Sequence, residues 1–164
     1  MSSRERKQLA GVTKKSAARR QAAALPYRIN SDGELEILVL TSRQTRRFVV
    51  PKGWLKKGLS ESATAAEEAF EEAGVKGQVG KKPLGTYSYW KRQNRLFDRI
   101  KVHVYALKVT EQDAQWPEKK ERDRAWLPVE DAATLIDEQE LATLVRTLEV
   151  DARGKLSSHA PPPH

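Results

Sequence analysis

The most concentrated group of reactive side chains in this sequence is a set of glutamates within residues 61–72. Its members are Glu61, Glu67, Glu68, Glu71 and Glu72. On an α-helix, residues three or four apart share one face, so the last four carboxylates would lie side by side. Like charges at this spacing oppose helix formation by about 0.2–0.5 kcal/mol per pair, and the segment contains no Lys or Arg. A cation is therefore expected close to this segment.

The expected cation has two sources. Residues 43–57 contain six Lys and Arg and no acid, so this basic segment can fold against the helix. Alternatively, a hard divalent ion that prefers oxygen ligands can bind among the carboxylates. A solvated acidic face with no ligand is the third interpretation. The divalent ion is the sharpest of these hypotheses, and the surrounding sequence must decide among them.

The helix that would carry these carboxylates has recognisable ends. Ser60 or Ser62 can cap its first turn, the alanine-rich run 63–73 continues it, and Gly74 suits its end. Short apolar strands and further helices surround it. The predicted strands are 26–30, 35–40, 48–50, 84–90, 100–109 and 125–128, and the later helices are 129–136 and 139–150. The first two strands form a hairpin. This order predicts an α/β protein, an α/β/α sandwich with a mixed β-sheet between helices.

Composition limits the class of protein. The 164 residues suit one domain of roughly 100–200 residues, and 38% hydrophobic residues suffice for one core. Because Cys is absent, disulfides, thiolate metal sites and cysteine nucleophiles are excluded. The longest apolar runs are far shorter than the roughly 20 residues that span a bilayer, and the start of the chain lacks a secretory pattern. No membrane partner and a cytoplasmic location are therefore expected.

The charge distribution suggests an anionic partner. Thirty Lys and Arg against 22 Asp and Glu give a net charge of +8, which favours nucleic acid, a membrane surface or a phosphorylated small molecule. Residues 1–24 are predicted to be a basic, partly disordered arm with some helical tendency near its end. Residues 25–152 are the predicted folded domain. Residues 153–164 are predicted to be a disordered tail.

The segment from Gly53 to Val75 resembles the Nudix box, G-x5-E-x7-R-E-U-x-E-E-x-G-U, in which U is an aliphatic residue. The matching positions are Gly53, Glu68, Ala69, Glu71, Glu72, Gly74 and Val75. Leu59 stands where the box has Glu, and Glu67 stands where it has Arg. The resemblance implies that these two positions pair with each other. Replacing both leaves no stranded partner, which is less costly than losing one.

This resemblance implies a reaction and a metal. Nudix enzymes hydrolyse a nucleoside diphosphate linked to another moiety, or a related pyrophosphate, with Mg²⁺ or Mn²⁺. The implied metal-binding residues are Glu68, Glu71, Glu72 and Gly53. Glu71 is either a ligand or a water-orienting base. The predicted catalytic residues are Glu68, Glu71 and a carboxylate outside the box, for which Glu118 and Glu121 are the nearest candidates and Glu121 is taken into the set.

Substrate recognition is predicted for the basic segment 43–57. Its predicted substrate-binding residues are Arg43, Arg46, Arg47, Lys52, Lys56 and Lys57. Six positive charges near one site exceed the need of a single diphosphate and indicate an anionic polyphosphate small molecule. Residues 23–53 also resemble the diphosphoinositol polyphosphate phosphohydrolase branch of the family, whose members also cleave dinucleoside polyphosphates. Either compound class is an expected substrate.

Two other functions stay open at this point. One is a nucleic-acid-binding module in which the basic residues hold the polymer and the box is catalytically silent. The other is removal of pyrophosphate from RNA 5′ ends, which uses the same chemistry on a polymer. Histidine offers no metal site, because His103 is predicted to lie on an exposed strand face and the other two lie near the tail.

Overall fold

The computed structural model describes residues 20–42 and 47–159. Its strands are β1 Arg20–Ile29, β2 Leu35–Thr41, β3 Phe48–Val49, β4 Lys52–Trp54, β5 Val75–Val79, β6 Gly85–Gln93, β7 Leu96–Gln112, β8 Arg124–Pro128, β9 Leu148–Val150 and β10 Leu156–Ser158. Its helices are α1 Glu61–Ala73, α2 Val129–Leu135 and α3 Gln139–Arg146. None of these three helices is long and apolar enough to cross a membrane.

A mixed sheet forms the centre of the fold. Its strands follow the order β3-β2-β1-β7-β5, while β4 pairs with β1, β6 with β7 and β8 with β2. The central strands β1 and β7 run parallel, whereas β1 and β2 form an antiparallel hairpin with Tyr27 opposite Ile37. The predicted mixed sheet and the predicted hairpin are both confirmed.

Helices cover both faces of this sheet. Because side chains alternate along a strand, β7 sends Val102 and Val104 into a core shared with Leu141 of α3. The same strand sends Tyr105 and Leu107 into a second core against the alanines of α1. The predicted α/β/α sandwich is therefore confirmed, with α1 on one face and α2 and α3 on the other.

The ends of α1 follow the predicted capping residues. The Ser60 hydroxyl accepts a hydrogen bond from the Ala63 N–H at 3.1 Å, which satisfies one of the unpaired donors of the first turn. At the other end Gly74 has a φ of 68°, a left-handed conformation that glycine adopts without a Cβ penalty. The helix therefore begins and ends where the sequence indicates.

The boundary predicted at residue 24 is wrong. The segment from Arg20 to Ala24 forms the first half of β1, and Ala22, Ala23 and Ala24 are fully buried. This half-strand pairs with β4 on one side and β7 on the other, so small side chains fit between the two cores. The alanine run has high helix propensity, but tertiary packing overrides that preference. Residues 1–19 of the predicted arm lie outside the described residues.

The C-terminal segment also departs from prediction. Helix α3 ends at Arg146, and Leu148–Val150 pairs with Leu156–Ser158 as an antiparallel hairpin. The carboxylate of Asp151 closes the turn by accepting the N–H groups of Arg153 and Lys155 at 2.8 and 2.9 Å. The prediction of a helix up to residue 150 is therefore wrong. The prediction of a disordered tail is also wrong for residues 153–159. Residues 160–164 lie outside the described residues.

Candidate active site

Strand β4 brings Gly53 into direct contact with α1. Gly53 lies opposite Ala22 in the sheet, and a Cβ atom at position 53 would lie only 2.5 Å from Cδ of Glu68. No side chain fits in that space unless the carboxylate moves. The glycine therefore allows the carboxylate of Glu68 to lie directly against the backbone of the loop.

Two carboxylates of α1 are buried at this contact. Glu68 is 8% exposed and Glu72 is 5% exposed, whereas Glu67 and Glu71 lie nearer the solvent. Glu68 and Glu72 are four residues apart, so both point from the same face of the helix. The backbone N–H of Lys52 donates to Glu72 Oε2 at 3.4 Å. Burying two acids side by side is costly unless positive charge compensates them.

The pKa values of both buried acids report this cost. Burial raises the pKa of Glu72 to about 7, where the charges of Glu68 and Glu118 add to the rise and those of Arg122 and Lys52 oppose it. Burial also raises the pKa of Glu68, against the opposing effect of Lys56. The two side chains therefore lie in a site that favours additional positive charge.

The loop between β7 and β8 closes the C-terminal end of α1. Its donors satisfy three carbonyls that a helix end leaves unpaired. The Glu71 carbonyl accepts from the Glu118 N–H at 3.0 Å, and the Glu72 carbonyl accepts from the Trp116 indole N–H at 3.0 Å. The Ala73 carbonyl accepts from the Arg124 guanidinium at 2.8 Å. These bonds hold residues 116–124 against the buried carboxylates.

This loop adds a carboxylate and a guanidinium to the site. Arg122 donates from Nε to Glu118 Oε1 at 3.0 Å, and its Nη2 lies 3.7 Å from Glu72 Oε1. Its Nη1 also donates to the Thr41 carbonyl at 3.3 Å, which anchors the group from the sheet side. Glu118 therefore lies within charge interaction of Glu68 and Glu72, while the side chain of Glu121 is exposed.

Lys56 supplies positive charge from the opposite side. Its Nζ lies 2.8 Å from Glu67, 3.1 Å from Glu68 and 3.4 Å from Glu71. Burial lowers the pKa of Lys56, but these hydrogen bonds and charges outweigh that effect and raise the pKa above its usual value. Within the described part of the basic segment, Lys56 therefore supplies one of the two predicted sources of the cation.

Known proteins share this arrangement of box, sheet and helices. A family model for the NUDIX domain matches residues 18–148. The chain belongs to the Nudix family. Nudix hydrolase 12 of Arabidopsis thaliana, named as mitochondrial, is 34% identical over 130 residues that cover 70% of this chain and 64% of that protein. Diphosphoinositol polyphosphate phosphohydrolase 3-beta of Bos taurus is 35% identical over 120 residues, which cover 72% and 69%. The matched region thus spans less than two thirds of the plant relative.

Solved structures share the fold at lower identity. An Ap4A hydrolase of C. elegans superposes with a TM-score of 0.56 at 22% identity, covering 77% of this chain and 92% of that one. A MutT protein of Bacillus halodurans superposes with a TM-score of 0.58 at 16% identity, covering 85% and 95%. These likenesses establish a Nudix fold for the chain.

The two departures from the Nudix box lie on the loop and the helix that face each other. Leu59, at the position of the box Glu, is 41% exposed. Glu67, at the position of the box Arg, pairs with Lys56, three residues before Leu59 in the same loop. The hydrogen bond from Lys56 lowers the pKa of Glu67 below its usual value. The loop of this chain therefore contributes the cation and the helix contributes the acid.

The predicted metal-binding residues fit a hard divalent cation by their chemistry. Glu68 and Glu72 offer buried carboxylate oxygens, Glu71 lies one turn away, and the contact at Gly53 brings the loop backbone to the same point. The raised pKa values of Glu68 and Glu72 are those of acids that a cation would stabilise. Within residues 20–42 and 47–159 no three acidic or histidine side chains already converge as a metal site. Lys56 lies among these carboxylates instead.

The predicted substrate-binding residues that the structure describes have different contacts. Arg43 and Arg46 lie outside the described residues. Arg47 is exposed and lies 3.7 Å from Asp137, and Lys57 is exposed on the loop. Lys56 contacts the carboxylates of α1, so its charge is already engaged.

Lys52 and two aromatic side chains lie beside the buried acids. The Lys52 ammonium lies 5.0 Å from the ring centre of Tyr89, and Lys91 lies 5.1 Å from that of Trp54. Burial lowers the pKa of Lys52, although the charge of Glu72 opposes this change. The Tyr89 hydroxyl donates to Gln21 at 2.6 Å. An anion can therefore meet two ammonium groups beside two aromatic rings.

His103 is not on an exposed face, contrary to prediction. Its Nδ1 lies 3.1 Å from Glu61 Oε2, which also accepts the Tyr105 hydroxyl at 2.8 Å. The side chain of Glu61 lies 3.5 Å from Arg20 as well. The alternation of β7 correctly gives these side chains one face, but α1 covers that face. This cluster anchors the first turn of the helix that carries the predicted metal-binding residues.

A separate cleft lies far from these residues. Its volume is ≈ 580 Å³, and its lining includes Tyr27, Lys108 and Leu156. Tyr27 is six residues along β1 from Gln21, a distance of about 20 Å. The cleft contains none of the predicted site residues, so it does not belong to the candidate active site.

Proposed function

We propose that this chain is a metal-dependent pyrophosphohydrolase that cleaves a phosphoanhydride bond in a densely phosphorylated small molecule. The proposed substrates are diphosphoinositol polyphosphates or dinucleoside polyphosphates, and the proposed metal is Mg²⁺ or Mn²⁺. The observation that carries the proposal is the buried pair Glu68 and Glu72, held against Gly53 and facing Glu118. Membership of the Nudix family supports the same reaction class.

The buried pair is the proposed metal-binding centre. Glu68 and Glu72 would hold the ion, with Glu71 and the backbone of Gly53 as further oxygen donors. When bound, a divalent ion neutralises phosphate oxygens and lowers the pKa of a water molecule. Mg²⁺ keeps several sites for water and substrate oxygens, which a set of two or three carboxylates leaves open.

Glu118 is the proposed carboxylate outside the box. It interacts with the charges of Glu68 and Glu72, and Arg122 fixes its orientation at 3.0 Å. A carboxylate held in this way can orient the attacking water and accept its proton. Glu121, which the sequence analysis included among the predicted catalytic residues, is exposed. It therefore serves as the comparison for Glu118.

Lys52 is the proposed contact for the substrate phosphates. It lies within charge interaction of Glu72, and its ammonium lies 5.0 Å from the ring centre of Tyr89. Lys91 adds a second ammonium over Trp54. Relatives named as diphosphoinositol polyphosphate phosphohydrolases favour a substrate with several phosphates, which two ammonium groups would bind well.

The test is a turnover screen on both compound classes, with Mg²⁺, with Mn²⁺ and with a chelator. We expect phosphate release only with a divalent ion. Glu72→Gln should abolish turnover and leave the thermal unfolding temperature within a few degrees of wild type. Glu118→Gln should lower kcat by about 10²–10⁴-fold, and the matched control Glu121→Gln should not. An equal loss of kcat in Glu118→Gln and Glu121→Gln would refute the assignment of Glu118.

The nucleic-acid alternative depends mainly on basic residues that lie outside the described ranges, and it stays a prediction. Binding to RNA or DNA that weakens steeply with salt, without turnover of any pyrophosphate, would favour it over the hydrolase. Release of pyrophosphate from triphosphorylated RNA, with no release from the small molecules, would favour the RNA 5′ activity.

A further inference from the structure

Lys56 joins the loop after β4 to three carboxylates of α1. Its Nζ lies 2.8 Å from Glu67, 3.1 Å from Glu68 and 3.4 Å from Glu71. The same residue is tied to α1 through its backbone, since the Lys56 N–H lies 3.5 Å from Thr64 Oγ1. One ammonium group thus interacts with the three acids that face the loop.

The three contacts are not equivalent. Glu67 gives the shortest contact and is the most solvent-exposed of the three, with 43% of its side chain accessible. Glu68 is almost completely buried and lies against Gly53. Glu68 and Glu71 are also proposed metal-binding residues, whereas Glu67 is not. Lys56 therefore contacts one acid outside the metal set and two acids within it.

A divalent ion bound to Glu68 would repel an ammonium 3.1 Å from the same carboxylate. The lysine stem is long and flexible, so its charge can move over a few ångströms without any change in the backbone. Glu67 offers a place for that charge close to its present position. The Lys56 ammonium therefore has a carboxylate to contact in the metal-free site and in the metal-bound site.

We propose that Lys56 is a positioning residue that acts as an internal counter-ion. In the metal-free chain its ammonium holds the carboxylates of Glu68 and Glu71. When a divalent ion binds those carboxylates, Glu67 retains the ammonium, so the loop stays attached to α1. This second half rests on the proposed function, because it requires that Glu68 binds metal, whereas the first half does not.

The experiment uses Lys56→Met, Glu67→Gln, the double variant and the matched control Lys57→Met. The substitution Lys57→Met removes the same charge from the adjacent, exposed position. Thermal unfolding in the presence of a chelator tests the first half of the proposal, the contacts of Lys56 in the metal-free chain. Titration with Mn²⁺ tests the second half. The free ion is followed by electron paramagnetic resonance, so the affinity for Mn²⁺ is measured without any substrate.

With the chelator, Lys56→Met should lower the unfolding temperature by about 2–4 °C, because three acids lose their shared cation. Lys57→Met should not. In the titration, Lys56→Met should bind Mn²⁺ about threefold to tenfold more tightly, since the competing charge is gone. Glu67→Gln should bind it more weakly, because Lys56 then has only Glu68 and Glu71 to contact. The double variant should resemble Lys56→Met.

Each half can be overturned separately. An unchanged unfolding temperature for Lys56→Met refutes the counter-ion in the metal-free chain. Unchanged or weaker Mn²⁺ binding by Lys56→Met, or an equal gain in Lys57→Met, refutes the competition with metal. A wild-type chain that binds no Mn²⁺ refutes the proposed function together with the second half, and the unfolding result still decides the first half.

Discussion

The close approach between Gly53 and Glu68 yields a quantitative prediction for Gly53→Ala. A Cβ at this position would lie 2.5 Å from Cδ and from Oε1 of Glu68, and ordinary contact begins at 3.4 Å. The carboxylate must therefore move by about 0.9 Å, the difference of these two distances. The obstructing atoms are at the end of a flexible side chain, and Gly53 does not have a positive φ. The backbone can therefore accept alanine.

The expected result separates stability from function. The unfolding temperature should change by no more than about 2 °C, because one side chain rotates and no core contact is lost. Displacing a proposed metal-binding carboxylate by nearly 1 Å should lower kcat/KM by about 10²-fold. Mn²⁺ binding should weaken as well, since divalent ions such as Mg²⁺ tolerate little change in ligand distance.

The matched control is Gly80→Ala. The nearest heavy atoms to a Cβ at Gly80 lie 3.7 Å away, and its φ is not positive either. This variant should retain wild-type unfolding, Mn²⁺ affinity and turnover. Wild-type turnover and Mn²⁺ affinity in Gly53→Ala would refute the role given to this contact.

Three further variants test the surroundings of the site. Although burial raises it, hydrogen bonds from Tyr105 and His103 and the charge of Arg20 keep the pKa of Glu61 below its usual value, so its charge stabilises the fold above the unfolded pKa. Glu61→Gln should therefore lower the free energy of unfolding at pH 7, and the difference should disappear as the pH falls below about 4; a constant difference across that range would contradict this. Arg122→Met should cost about 2 kcal/mol in urea unfolding, because the buried Glu72 loses a compensating charge, and an unchanged midpoint would contradict it. Gly74→Ala should cost about 1–2 kcal/mol in the same assay, since φ is 68° and Trp116 lies 2.7 Å from the new Cβ; wild-type stability would show that the helix end relaxes freely.

Local patterns were enough to predict most of the fold. The cap at Ser60, the end at Gly74 and the strand at 100–109 all depend on residues close in sequence, and each is confirmed. The same reasoning failed at Arg20–Ala24, where an alanine run with helical propensity forms a strand between two neighbours. It also failed at Leu148–Val150, because the partner strand lies beyond a turn that Asp151 closes.

Some features of the candidate site could likewise be predicted from the sequence, and others depended on tertiary packing. The spacing of Glu68 and Glu72 on one helical face could be predicted, because four residues make about one turn. The contacts of Lys56 with Glu68 and Glu71 depend on how the loop packs against α1, and its predicted role in substrate binding stays a prediction. Arg122 carried no signal in the sequence, since its role depends on a loop held by Trp116 and Arg124 at the end of α1.

The sequence by itself determined the Nudix family, the helix that carries the carboxylates and the face on which they lie. These features arise from periodicity and from a box whose residues are close along the chain. Tertiary packing was needed to establish which acids are buried, which cation lies beside each of them and that the charge of Glu118 acts on both Glu68 and Glu72. Burial and charge interactions depend on distances between segments that are far apart in sequence, such as Lys56 and Glu71 or Arg122 and Glu72. Those distances are set only when the sheet, α1 and the loop after β7 pack together.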